Sequence, residues 1–170
     1  TPLSSQAKVF GISSKKAVNN DLKPIARQVF DARAARNEFS VHKPFQVIRN
    51  NESFRSGVQN ATVLQLNVAE VNSILQERHD FIELQLEDAA GKTWAMDLYR
   101  TSSVSKDFVV TTSESNGNPV FLDGGIYYRG IIKGDYNSVA AFSIFDGNII
   151  GMITSDEGNM VLHPVEAEDN

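Results

Sequence analysis

The sequence predicts a mainly β protein, α+β by content. Antiparallel sheets are expected to form a sandwich or a partly open barrel, with a C-terminal meander and two short helices. Three observations carry this. From Phe39 onward, apolar and polar residues alternate with period two in run after run. Helical spacing of apolar residues is confined to two segments, 21–36 and 67–80. Residues 127–163 break into four strand-length runs joined by turn signals, as a meander does.

In chain order, residues 1–20 are polar and poorly patterned, apart from Val9-Phe10-Gly11-Ile12, which reads as an edge strand. Asp21 to Arg36 reads as a helix. Pro24 sits in its first turn, where a missing N–H costs nothing, and Ile25, Val29, Ala32 and Ala35/Arg36 share a face. Arg27 and Arg33 fall on the other face, read as solvated. Phe45 and Val47 alternate with polar neighbours, Asn50 to Ser53 is a turn, and Gly57 is another break. Val63, Leu64 and Leu66 mark the next strand. Asn67 and Glu70 form a capping-box-like pair at the start of a second helix, with Val68, Val71, Ile74 and Leu75 as its apolar stripe. A hairpin follows: Ile82, Leu84 and Leu86 oppose Glu83, Gln85 and Glu87, a turn falls at 88–92, and Trp94, Met96 and Leu98 resume the alternation. Phe108 to Thr112 is a strand and Ser113 to Pro119 a surface loop. The meander takes Tyr127–Lys133, Ser138–Phe145, Asn148–Thr154 and Met160–His163, with Asp146-Gly147 as a two-residue turn. Its two middle strands are nearly continuous in apolar residues, which predicts cover on both faces.

The 170 residues, 41% of them apolar, suit one domain with a core of its own. The absence of cysteine excludes disulfides, thiolate metal sites, a thiol nucleophile and iron–sulfur chemistry. A net charge of −5 gives no general pull toward nucleic acid or anionic membrane, and no run of 18 apolar residues is present to span a bilayer. The charge is uneven. Residues 1–60 hold ten Lys/Arg and four Asp/Glu, a net of +6, whereas 61–170 hold six and seventeen, a net of −11. Such a split fits either two complementary faces of one domain or a charged interaction surface. The start at Thr1-Pro2-Leu3 fits a mature chain whose leader has been removed, and leaves export open.

Little in the sequence points to catalysis. His42, His79 and His163 are far apart in sequence, and no H-E-x-x-H spacing occurs. The carboxylates sit at turns (Asp88, Asp123, Asp146, Asp156) or on the polar side of strands, where solvation explains them. No EF-hand, Walker loop, G-x-G-x-x-G or G-x-S-x-G is present. Trp94 is in phase with Met96 and Leu98, so core packing accounts for it better than a sugar platform, and Tyr127-Tyr128 place one ring on each face of a strand.

One constellation is more specific. Tyr128-Arg129-Gly130-Ile131-Ile132-Lys133-Gly134 is followed by Asn137-Ser138-Val139-Ala140-Ala141-Phe142-Ser143, then Gly147, Gly151-Met152-Ile153 and His163-Pro164-Val165-Glu166. This resembles the propeptide of reprolysin-type zinc metalloproteases, the ADAM and snake-venom group. That family reads Y-x-G-x-V-x-G, N/D-S-x-V-A-L-S, G-L-x-G-L-I and I-x-P-L. The resemblance covers residues 62–166 and rests on Tyr128, Gly130, Gly134, Ser138, Ser143, Gly147, Gly151 and Pro164. Strand glycines in this order fit bends and close backbone approach.

The resemblance implies one secreted, extracellular or periplasmic propeptide domain over 1–170, with 167–170 as linker. It implies a monomer without catalytic residues, cofactor or metal of its own. Its partner is the C-terminal metalloprotease domain of the same precursor, which it helps to fold and keeps latent by covering the active-site cleft; neither nucleic acid nor membrane is a partner. The chain departs from the family in having no cysteine. Ile126 and Phe145 stand where relatives carry a cysteine pair, and are expected to hold two strands together by packing. Without a cysteine switch, Asp169 is the candidate to cap the protease's zinc. The alternatives are an exported β-sandwich module that binds carbohydrate or protein, and a freestanding protease inhibitor.

Overall fold

The computed structural model describes residues 21–48, 61–102, 125–145 and 147–164. The expectations for the edge strand at 9–12, the turns at 50–53 and 57, the strand at 108–112, the loop at 113–119, Asp146, the linker and Asp169 lie outside these residues.

Helix α1 (Pro24–Ala34) starts on its proline and buries Ala26, Val29 and Ala32. Ala26 joins the stripe, Ile25 packs partly buried beside it, and Ala35 and Arg36 are exposed. Two short strands follow, β1 (Ser40–His42) and β2 (Phe45–Val47). Strand β2 pairs antiparallel with β3 (Leu64–Leu66) as a separate two-stranded sheet. Helix α2 (Val68–Glu77) is capped by Asn67, whose side chain accepts from the N–H groups of Ala69 and Glu70. The return half of the expected box is absent, because the Asn67 N–H donates to the Pro44 carbonyl and Glu70 turns to His42. Arg78 ends the helix in the left-handed region, at φ 48°.

The remaining strands are β4 (Phe81–Glu87), β5 (Thr93–Thr101), β6 (Ile126–Ile132), β7 (Val139–Phe145), β8 (Asn148–Ser155) and β9 (Gly158–Leu162). With β1 they form a seven-stranded sheet in the order β1-β4-β5-β6-β7-β8-β9. The meander is therefore present in the expected strand order, with its last strand starting at Gly158 rather than Met160. One pairing differs from the expectation of antiparallel sheets: β1 runs parallel to β4. The chain between them holds β2, β3 and α2, and a long crossover of this kind returns a strand in the same direction, as a hairpin cannot. The fold is mainly β and α+β, sandwich-like and open, since among the described residues β1 and β9 do not pair to close a barrel.

The sheet has two unlike faces. One carries Ile82, Leu84, Met96, Leu98, Ile126, Tyr128, Phe142, Ile144 and Ile153 under α2 and the β2–β3 ribbon, and is the main core. The other packs Tyr99 and Ile131 against Ala26 and Val29 of α1. Cover on this second face stops short. Ile150 and Met152 of β8 are 38% and 51% exposed, and Val161 of β9 is 69% exposed. The expectation of cover on both faces of the middle meander strands is thus corrected for β8, since among the described residues α1 packs chiefly on β5 and β6. Ile126 faces Ile144 across β6 and β7, so Phe145, one residue on, points to the opposite face and the two do not pack as a pair. Among the described residues no helix is long and apolar enough to cross a membrane.

Candidate functional site

The motif residues of the meander build the sheet. Tyr128, Phe142, Gly151 and Leu162 lie in one row across β6, β7, β8 and β9 on the core face. The Tyr128 hydroxyl donates to the His79 carbonyl at 2.8 Å, and burial pushes its pKa up to about 12. The ring of Phe142 occupies the space that a side chain on Gly151 would need. A side chain on Gly130 would run still more closely into the Asp97 carbonyl of the neighbouring strand. Gly134 and Gly147 have φ of 85° and 68°, in the turns after β6 and before β8. Ser138 is buried; its hydroxyl donates to the Asp135 carbonyl at 2.7 Å and accepts from the Ile132 N–H at 2.7 Å, locking the β6–β7 turn. Ser143 lies on the opposite face, between Tyr127 and Ile150, and Pro164 is exposed after β9. These residues are brought together as a framework, with Tyr128 and Gly151 on one face and Ser143 on the other.

Charge gathers under α1. Glu83 and Asp97 stand directly opposite each other on β4 and β5, and are only 5% and 4% exposed. This corrects the solvated reading for Glu83, Asp97 and Arg33, while Glu87 of β4 is exposed as expected. Like charges opposite one another are unfavourable, and cations from α1 and from the turn after β6 offset them. The Arg33 guanidinium grips both oxygens of Asp97, its Nε at 2.9 Å, and reaches Glu83 at 3.5 Å. Lys133 donates to Glu83 as well, and Gln85 donates to its second oxygen at 2.6 Å. Burial pushes the Glu83 carboxyl up. The bonds from Lys133 and Gln85 and the charges of Lys133 and Arg33 outweigh this, and hold it below the ordinary range. The bond to Asp97 raises the Arg33 pKa. The guanidinium also lies 3.7 Å from the ring centre of Phe39.

Two of the three histidines meet, despite their separation in sequence. The ring centres of His42 and His79 are 6.4 Å apart. Buried His42 has Nδ1 2.9 Å from Glu70, and its Nε2 has no hydrogen-bond partner. His79 pairs with Glu77 at 2.9 Å. Among the described residues no group of three His, Asp or Glu side chains is placed to hold a metal ion. Trp94 packs against the main core and donates from Nε1 to Asp88 at 3.1 Å, with the Lys92 ammonium 3.7 Å above its ring.

The best candidate for a binding site is the bare part of the second face. Tyr127, Ala141, Ser143, Ile150, Met152 and Val161 line a shallow groove of about 380 Å³. Sequence reading missed this surface. Its signal is the run Ile149-Ile150-Gly151-Met152-Ile153, which puts apolar residues on both parities of one strand, a pattern that cover on both faces and an open apolar face share. No family model, curated protein or solved structure matches this chain.

Proposed function

We propose that this chain is the non-catalytic N-terminal prodomain of a secreted zinc metalloprotease of the reprolysin type. It assists folding of the protease domain and maintains latency by covering the active-site cleft. The sequence resemblance over 62–166 supports the family. The observation that carries the role is the exposed apolar half-face of the meander, centred on Ile150, Met152 and Val161. A contiguous apolar patch on a folded domain marks a binding surface more often than an accident of composition. Here it lies on the same strands as the motif residues, so the framework holds it rigid. The surface works as a plug: it occludes substrate by position and needs no ligand to the protease's zinc.

The same surface favours protein over carbohydrate in the alternative reading of a binding module. Its exposed side is mainly aliphatic: of the aromatic rings lining the groove, Tyr128 and Phe142 are buried in the core and Tyr127 lies on the open face, whereas sugar platforms rely on exposed aromatic faces. The experiment is to add the purified chain in trans to the protease domain encoded downstream in the same reading frame. Inhibition and improved refolding, both lost on Met152→Lys, are expected. Unchanged activity and refolding at a large excess of the chain, or a reading frame without H-E-x-x-H downstream, overturns the proposal.

A further inference from the structure

The sheet ends in two edges of different character. At one end β1 is three residues long and its His42 is buried, so the edge is blunt. At the other end β9 is Gly158-Asn159-Met160-Val161-Leu162, with no charge and no proline within it. Natural sheets guard a free edge with lysine, proline, a bulge or extreme shortness, and β9 has none of these. Among the described residues no strand lies on its outer side.

The hairpin fixes which backbone groups of β9 are free to pair. Ser155 faces Gly158 around the two-residue turn Asp156-Glu157. The closing pair of such a turn exchanges its N–H and C=O groups, and hydrogen-bonded pairs alternate from there. Gly158, Met160 and Leu162 therefore bond inward to β8. Asn159 and Val161 present their N–H and C=O groups outward. Val161 thus combines an outward-facing peptide unit with a side chain 69% exposed beside Met152.

We infer that β9 pairs antiparallel with β9 of a second copy, joining two sheets into one continuous sheet about a two-fold axis at Met160. This register overlaps the two five-residue strands in full. It sets Asn159 opposite Val161 of the other copy, so that all the outward backbone groups of both residues are used. It also sets Glu157 of each copy, whose carboxylate takes the Lys92 ammonium of its own chain at 2.6 Å, opposite the His163 imidazole of the other at each end of the ribbon. The axis is perpendicular to the sheet, so the two apolar half-faces lie side by side on the same side and the exposed groove doubles in length. The pairing requires no protease and stands apart from the latency reading. An interface this short is at the small end of the size range, and suits a dimer in exchange with monomer.

The test is sedimentation of the whole chain from micromolar to millimolar concentration, with two kinds of variant. The wild type is expected to pass reversibly from monomer to dimer. Val161→Lys should stay monomeric throughout with an unchanged melting temperature, because it places a charge on an exposed edge. Met160→Cys supplies the only cysteine in the chain. On the axis, the two residues 160 form a non-hydrogen-bonded pair with Cα atoms about 4.5 Å apart, within the roughly 4.4–6.8 Å that a disulfide spans. It should cross-link under mild oxidation far faster than Gln76→Cys, on the exposed side of α2. A wild type that is monomeric at every concentration, a Val161→Lys variant that still dimerises, or equal cross-linking at 160 and 76 overturns the proposal.

Discussion

At the residue scale, the meander's glycines and Ser138 carry their meaning in what surrounds them. A methyl group on Gly130 would run into the Asp97 carbonyl, which is fixed in the sheet. A methyl on Gly151 would meet the Phe142 ring, which can shift. Both substitutions by alanine should destabilise the fold, by about 1–3 kcal/mol as overpacking does, with Gly130→Ala the worse of the two. Urea denaturation checks the order, and a Gly130→Ala variant as stable as wild type contradicts the close approach. Ser138→Ala strips the buried Ile132 N–H of its acceptor and should cost about 1–3 kcal/mol. These positions were legible in the sequence, since a glycine within a strand and a serine after a turn each have few physical uses. Val68 was not. Helical spacing placed it on the buried stripe, but it is 52% exposed, because periodicity gives a direction around the helix and not the edge of what covers it.

At the scale of elements, among the described residues α1 is held to the sheet by a small apolar cluster and by the ion pairs of Arg33. Breaking a fully buried ion pair costs about 3–5 kcal/mol. The Arg33 side chain is 36% exposed; water screens it, so Arg33→Met should cost about 1–3 kcal/mol. Asp97→Asn combined with Arg33→Met should recover part of that loss, because the stranded carboxylate is gone. Acid should act on the same cluster. The folded-state pKa of Glu83 is depressed, so its contribution is fully present above the unfolded value of about 4.3 and is lost as pH falls through the folded value. The melting temperature should therefore fall on acidification below about pH 4.3, and less steeply in Glu83→Gln. An identical acid profile in that variant refutes the assignment. The sequence showed the helix, its proline start and the parity of Glu83, but not the ion pairs. Alternation says which residues share a face. It does not say that a helix carrying an arginine lands on the polar face, and the period-two signal of Glu83 and Asp97 is the same buried or solvated.

For the whole molecule, the uneven charge now has a partial structural account. The basic first third supplies Arg33 to carboxylates of the acidic remainder, as complementary parts of one domain would. The two faces are nevertheless unequal. The main core knits β4 to β9 with α2, whereas the α1 side is a smaller cluster of Ala26, Val29, Tyr99 and Ile131 with partly buried Leu22, Ile25, Phe81 and Tyr136 packed against it. Parts with few buried apolar contacts open at lower free energy than the global transition. Native-state hydrogen exchange should therefore show α1 amides exchanging through a sub-global opening while β5, β6 and β7 exchange only on global unfolding. Added salt screens the partly exposed Arg33 and should lower protection in α1 while leaving the sheet unchanged. In Arg33→Met that salt dependence should disappear. If α1 and the sheet exchange together in the wild type at every salt concentration, the two faces form one cooperative unit and the ionic cluster is not the weaker joint.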